Sequence, residues 1–299
     1  MRIFLTKGSK LIENAEEQFL TEKEIQTLTE QNLYEIFNLE FVVSELQLPG
    51  FRIDTLAFNK ESSAFYIIEY KKDKNFSVID QGVAYLNLML IHKAEFLYAY
   101  YQKTFQHLRK EDIDWSQSRI IFITPEFTKY QQQAIGFKDL GIQLWEIHKY
   151  GADTLTFNEV KPFTITKESI ATITRNSIEV KRVSEEIRVY TEDDILKICD
   201  NKIRGLYSEL KSALLDLGTD VTIHPTKIYI AFHRKQAFTG FHPSKSKLRL
   251  DFSVRNSELN DPKKIARGVR HGNWSAISIT ESNEIPYALS LIRQAYEKS

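Results

Sequence analysis

The feature that most constrains the fold is the order of hydrophobic periodicities between residues 40 and 150. Three strand-like runs, FVVSEL, FRIDTLAF and AFYIIEYK, follow one another with only Pro49-Gly50 and NKESS between them. Turns that short make consecutive strands antiparallel neighbours. A long helical segment over 78–101 comes next, then the β-branched run RIIFIT, a helix over 129–140 ending at Gly141, and the strand IQLWEIHKY. Strand–helix–strand alternation requires crossovers and parallel pairing. A helix over 21–38 precedes the three runs. Thr21 and Glu24 form a capping-box pair at its start, and Ile25, Leu28, Leu33 and Ile36 supply its apolar stripe. Residues 2–6 read as a short strand turning at Gly8. The order α-β-β-β-α-β-α-β predicts a mixed sheet flanked by helices.

Two domains are expected, because the chain has 299 residues and domains usually hold about 100–200. The segment 161–188 is rich in Thr, Ser and single charges and reads as a connector between 1–160 and 189–299. Beyond it, Thr191 and Asp194 open a helix that runs to Asp216 and stops at Gly218. The runs KIYIAFH, KQAFTGFHP, KLRLDFS and WSAISIT read as strands, DPKKIARGV as a short helix, and EIPYALSLIRQAYEK as a closing helix. The second domain is therefore a smaller α+β unit. With 42% hydrophobic and 27% charged residues, each part can bury a core. The apolar runs are far shorter than the ~20 residues of a membrane span, and MRIFLTKGSK lacks a secretory pattern. No membrane partner and a cytoplasmic location are expected. A single cysteine, Cys199, excludes a disulfide framework and a multi-cysteine metal site. Residues 193–299 carry 17 Lys and Arg against 12 Asp and Glu, and residues 1–192 carry 23 against 28, so the two parts differ in sign.

One constellation carries chemistry. Asp54 lies inside FRIDTLAF, and Glu69 and Lys71 end AFYIIEYK. Residues i and i+2 of a strand share a face, so Glu69 and Lys71 project together, in line with Phe65 and Ile67. If the two strands pair through NKESS, Asp54 lies opposite the same end. Two carboxylates and an ammonium then meet. Hard divalent ions take such oxygens and keep several waters. A bound metal polarises a phosphoryl oxygen and activates water, and a lysine beside it stabilises charge developing on the phosphate. A solvated acid and a same-face ion pair fit these residues as well.

The run Asp54–Lys71 resembles the PD-(D/E)xK signature of the restriction-endonuclease-like nuclease superfamily, with Ile53 in place of the usual proline. The order of helix, three-strand meander, helix and strand is similar to that superfamily's core. Gln81 and Tyr85, spaced i, i+4 in the following helix, resemble the Gln-x-x-x-Tyr element of its RecB-like branch. The resemblance implies a restriction-endonuclease-like α/β fold, with Asp54 and Glu69 as metal ligands, Lys71 as catalytic lysine, and Gln81 and Tyr85 near the scissile phosphate. It implies the Tyr70 carbonyl as a further ligand and a glutamate from the first helix, where Glu30 is preferred over Glu35. The implied cofactor is Mg2+, with Mn2+ as substitute, and the implied partner is nucleic acid, foremost DNA. Lys71, Lys72 and Lys74 precede a helix N-terminus, as suits phosphate capture.

From Val189 on, the sequence resembles an uncharacterised bacterial domain found beside nuclease modules and in defence-linked proteins. LYSELKSALLDLG, KIYIAFHRKQAF, HGNW and IRQAYEK carry that resemblance. Some relatives bear the label of predicted transport protein, which no feature of this sequence supports. Lys227, Tyr229, Arg234, Phe241, Lys247 and Arg249 could form a stacking and phosphate surface, and His271, Asn273 and Trp274 a small pocket; an ordinary half-buried sheet and a turn with a core tryptophan are the preferred explanations. Three functions stay open on sequence: a magnesium-dependent deoxyribonuclease in defence or repair, a nuclease-like module that binds nucleic acid without cutting, and an interaction protein whose C-terminal domain senses a small ligand or protein. A homodimer is compatible with each.

Overall fold

The computed structural model describes residues 2–73, 76–137, 140–164, 166, 168–170, 177–269 and 273–299. The chain divides into two units, Met1–Val189 and Tyr190–Ser299.

The first unit begins with a hairpin of β1 (Ile3–Lys7) and β2 (Lys10–Asn14), turning through Gly8 at φ 64°, a value glycine adopts without cost. Then come β3 (Glu16–Glu17), α1 (Glu22–Gln31), α2 (Leu33–Phe37), β4 (Glu40–Leu48), β5 (Phe51–Asn59), β6 (Ala64–Tyr70), α3 (Val78–Ile91), α4 (Lys93–Thr104), β7 (Arg119–Thr124), α5 (Lys129–Ala134), β8 (Ile142–Tyr150), β9 (Thr154–Val160) and α6 (Ile178–Glu186). The seven-stranded sheet runs β3-β8-β7-β6-β5-β4, with β9 also paired to β8. β4, β5 and β6 are antiparallel, while β6–β7 and β7–β8 are parallel. The sheet is mixed, as the strand order requires.

Its two faces are buried separately. Leu56, Phe58, Phe65, Ile67 and Phe122 pack with Val78, Val83, Leu86 and Met89 of α3. On the opposite face Ala57, Ile68, Tyr70, Ile121 and Ile123 pack with Ile25 of α1 and Leu33 of α2. Gly82 lets α3 approach the sheet closely, because an added Cβ would overlap Ile142 of β8.

Several elements differ from the sequence expectation. The first helix divides at Asn32, whose amide bonds the Thr29 carbonyl, and α2 ends at Asn38 with φ 54°. The long helix divides at His92, and the third stops at Ala134 rather than at residue 140. The segment 161–188 is more than a connector. Ile170, Val180, Val183 and Ile187 are buried in the first core, and Arg182 Nη1 donates to Asn87 Oδ1 of α3 at 2.7 Å. Their burial carries the first unit to Val189.

The second unit holds α7 (Glu192–Leu196), α8 (Asn201–Leu215), β10 (Thr222–Pro225), β11 (Ile230–His233), β12 (Ala237–Pro243), β13 (Leu248–Phe252), β14 (Arg267–Val269), β15 (Trp274–Ile279) and α9 (Ile285–Lys298). Its strands form an antiparallel sheet ordered β10-β11-β12-β13-β15-β14. Phe232, Phe238, Phe241, Leu250 and Phe252 pack with Leu206 and Leu210 of α8 and Leu291 and Ile292 of α9. The DPKKIARGV segment is a turn leading into a strand. Asp261 accepts from the Ala266 amide at 2.8 Å and from the Tyr287 hydroxyl, which holds the segment open. Among the described residues, no helix is long and apolar enough to cross a membrane.

Candidate active site

β5 and β6 pair through Thr55–Ile68 and Leu56–Ile67, so the next step of the ladder sets Asp54 opposite Glu69. Alternation gives both carboxylates the face that packs on α3. The Tyr70 amide donates to Asp54 Oδ2 at 3.3 Å, and Lys71 Nζ donates to Glu69 Oε1 at 2.6 Å. Asp54, Glu69 and Lys71 are thereby brought together at the end of β6, where the Lys71 amide is held by the Ile123 carbonyl at 2.9 Å.

Glu69 is only 4% exposed, and its Oε2 is buried with no hydrogen-bond partner. Burying a carboxylate oxygen without a donor is costly, so this atom marks a place where the chain leaves a need unmet. The titration follows. Burial pushes Glu69 up to about 6; the Asp54 charge adds to this, while Lys71 and the Tyr85 hydroxyl oppose it. Burial also raises Asp54, against the Tyr70 amide and Lys71.

α3 begins at Ser77, whose hydroxyl accepts from the Asp80 amide at 3.3 Å. The Tyr85 hydroxyl donates to the Arg52 carbonyl at 3.3 Å, and burial with the neighbouring Glu69 charge raises it well above the ordinary phenol range. Gln81 lies one turn earlier on the same flank, and its Oε1 is buried without a partner. Gln81 Oε1 and Glu69 Oε2 are both buried oxygens without a hydrogen-bond partner.

Glu30 does not join this group. Its Oε1 accepts from Thr55 Oγ1 at 2.6 Å and from Gln26 Nε2 at 2.9 Å, on the sheet face that packs on α1. Glu35 is exposed on α2. Tyr70 also turns its ring to the α1 face, with its hydroxyl 3.1 Å from Thr55 Oγ1. The first-helix residue nearest the site is Gln26, which sequence reasoning missed. It is buried, and its Nε2 reaches the Asp54 carbonyl at 2.9 Å and Ser44 Oγ at 3.0 Å. Only a glutamine inside the apolar stripe of α1 hinted at it. Of the basic loop, Lys72 Nζ donates to the Leu20 carbonyl at 3.0 Å; Lys74 lies outside the described residues.

Glu45 of β4 was also missed. It has φ 57° within a strand, and its carboxylate lies 2.9 Å from Arg52 Nε and 3.4 Å from Lys23 Nζ.

Asp54 and Glu69 are the carboxylates that could serve a hard divalent ion, and the Tyr70 carbonyl is the further oxygen that the resemblance implies. Among the described residues no group of three or more His, Cys, Asp or Glu side chains could hold a metal. The set nevertheless suits Mg2+, which is commonly held by one or two carboxylates with waters and phosphate oxygens completing the shell, and the orphaned Glu69 Oε2 is free to contribute.

In the second unit Phe241 is buried in the core beneath the helices, so it cannot belong to an exposed stacking surface. Arg234 pairs with Asp220 at 2.7 Å, and Arg249 with Asp251 at 2.7 Å. Trp274 packs against Tyr229, Ala231 and Ala237; His271 lies outside the described residues.

Residues 192–299 match a family model described as "Domain of unknown function (DUF5655)". Over 300 residues, covering 99% of both chains, the sequence is 38% identical to a Haemophilus influenzae protein described as uncharacterized. Among solved structures, a repair endonuclease from Pyrococcus abyssi overlaps 44% of this chain and 49% of its own at 14% identity and a TM-score of 0.27. SfsA from Pyrococcus furiosus, in complex with Ca2+, overlaps 54% of this chain and 75% of its own at 14% identity and a TM-score of 0.27. The chain thus spans about half the length of that repair endonuclease.

Proposed function

The chain belongs to one family with the Haemophilus influenzae protein that it matches over 99% of both chains, and we propose that this protein is a metal-dependent nuclease hydrolysing phosphodiester bonds of DNA. The observation that carries the reading is the convergence of Asp54, Glu69 and Lys71 on one sheet face around a buried Glu69 oxygen that no protein donor satisfies. The resemblance of Asp54–Lys71 and Gln81–Tyr85 to the PD-(D/E)xK and Gln-x-x-x-Tyr signatures supports it and supplies DNA as the substrate.

Asp54 and Glu69, with the Tyr70 carbonyl, would hold the ion. A divalent ion so bound lowers the pKa of its water and polarises the phosphoryl oxygen. Glu69, at about 6, is ionised at neutral pH and able to serve as a ligand. Lys71 places its ammonium at the carboxylate, where it stabilises negative charge developing on the phosphate. Tyr85 and Gln81 border the same spot from α3. The alternative is a nuclease-like module that binds nucleic acid without cutting it.

Cleavage of plasmid and linear DNA with Mg2+ or Mn2+ tests the proposal. Lys71→Ala is expected to slow cleavage by ~10²–10³ in a protein that still folds, although losing the donor to Glu69 Oε1 lowers its melting temperature. Asp54→Asn is expected to weaken metal affinity in calorimetry, which Lys71→Ala leaves intact. A wild type that binds DNA yet cuts none with either metal hands the function to the binding module.

A further inference from the structure

Two charged residues beside the carboxylates have no part in the chemistry above. Arg52 precedes Asp54 by two positions on β5 and so shares its face. The Arg52 carbonyl accepts the Tyr85 hydroxyl at 3.3 Å, which ties this stretch of β5 to α3. β4 pairs with β5 through Ser44–Thr55 and Leu46–Ile53, so Glu45 sits beside the level of Asp54. Its carboxylate runs diagonally to Arg52 Nε at 2.9 Å.

Stability does not account for this arrangement. Glu45 has φ 57°, a conformation that L residues with a Cβ rarely adopt, least of all inside a strand. The Glu45 carboxylate pairs there with Arg52, the two side chains being 35% and 59% exposed, and more distantly with Lys23 at 3.4 Å. Such pairs contribute little to folding and exchange readily with solvent. Strain at a weak, accessible pair beside a candidate active site points to a role in binding.

The charge balance indicates which. Asp54 and Glu69 repel a polyanion, and Lys71 is already engaged by Glu69. The register of β4 and β5 places both Arg52 and Glu45 beside Asp54. Arginine's planar fork is suited to phosphate oxygens in a bidentate contact.

We infer that Arg52 anchors a phosphate of the DNA strand beside the carboxylate pair, and that Glu45 is a latch holding the guanidinium in place until that phosphate displaces it. The inference rests on the DNA reading of the site and adds to it a contact outside the metal and the catalytic lysine. Glu45 acts through Arg52 and is a positioning residue.

The test is fluorescence anisotropy in chelator-containing buffer, with a short DNA duplex and its single strand across a salt series. Arg52→Gln is expected to weaken binding on the order of tenfold at low salt and to reduce the slope of log affinity against log salt by about 1. Arg52→Lys should keep the slope and lose part of the affinity. Glu45→Gln should tighten binding several-fold, and only while Arg52 is present, so the double variant should match Arg52→Gln alone. Arg52→Gln with wild-type affinity and slope overturns the anchor. A gain from Glu45→Gln that persists without Arg52 overturns the latch. A wild type that binds neither probe at any salt removes the DNA reading itself, and this inference with it.

Discussion

Each unit buries an acid in its sheet, and the two acids are treated in opposite ways. Asp251 of β13 is 1% exposed, yet both its oxygens are used. Arg249 donates to Oδ1 and Oδ2 at 2.7 and 2.8 Å, and His242 Nε2 lies 3.2 Å from Oδ2. Burial pushes Asp251 upward, but the His242 ring beside it and the two Arg249 hydrogen bonds outweigh it and hold the carboxyl below its usual range. Glu69 of β6 has one ammonium on Oε1, while Oε2 makes no hydrogen bond and has only the weak influence of the Tyr85 hydroxyl, and it rises to about 6. A saturated acid is a fastening for its sheet. An unsaturated one costs folding free energy and keeps a coordination position open. Both acids are buried; the number of donors on the carboxylate sets them apart.

Asp251 carries the largest expected effect. Replacing it with Ala removes the common partner of Arg249 and His242 and should destabilise the second unit by about 2–3 kcal/mol in denaturant unfolding. A loss below about 0.5 kcal/mol would show that Asp251 is no fastening.

Glu69→Gln should act in the other direction. The folded-state value of Glu69, about 6, lies above the ordinary 4.5. The stabilising contribution of the protonated form is therefore present below about pH 4.5 and lost as pH rises through about 6. A neutral amide escapes that loss, so metal-free Glu69→Gln should be more stable than wild type at pH 7 by on the order of 1–2 kcal/mol. The gain should shrink as pH is lowered toward 4.5, and metal binding should be lost at every pH. Equal thermal melts for the two proteins at pH 7 would place Glu69 with Asp251.

The same titration sharpens the contrast in activity. Cleavage should fall as pH drops through about 6, when Glu69 takes up a proton. A flat rate between pH 7 and pH 5 would mean that Glu69 ionisation does not govern the reaction.

The smallest stability effect is expected at Gln81. Its buried Oε1 has no partner to lose, so Gln81→Ala should change stability by no more than about 0.5 kcal/mol while lowering cleavage more clearly. An unchanged cleavage rate returns Gln81 to the flank of α3.

Local rules determined the central part of the site. Strand alternation and the short NKESS turn are enough to set Asp54, Glu69 and Lys71 on one face, because a period of two leaves no other choice once the hairpin closes. Helical spacing likewise put Gln81 and Tyr85 on one flank of α3. Thr191 caps its helix with the Asp194 pairing read from sequence; at Thr21 the hydroxyl caps the Glu24 amide, but Glu24 reaches back to the Leu20 amide instead. Which face α1 covers was beyond such rules. It packs where Thr55 and Tyr70 point, which took Glu30 to their hydroxyl network and left Gln26 against the Asp54 carbonyl. The divisions at Asn32 and His92, the burial of Val180 and Ile187, and the diagonal from Glu45 to Arg52 likewise depend on neighbours distant in sequence. A periodic pattern fixes which residues share a face, because backbone geometry is local. Only packing decides what that face meets, because the partner's position is set by every other element competing for the same apolar surface.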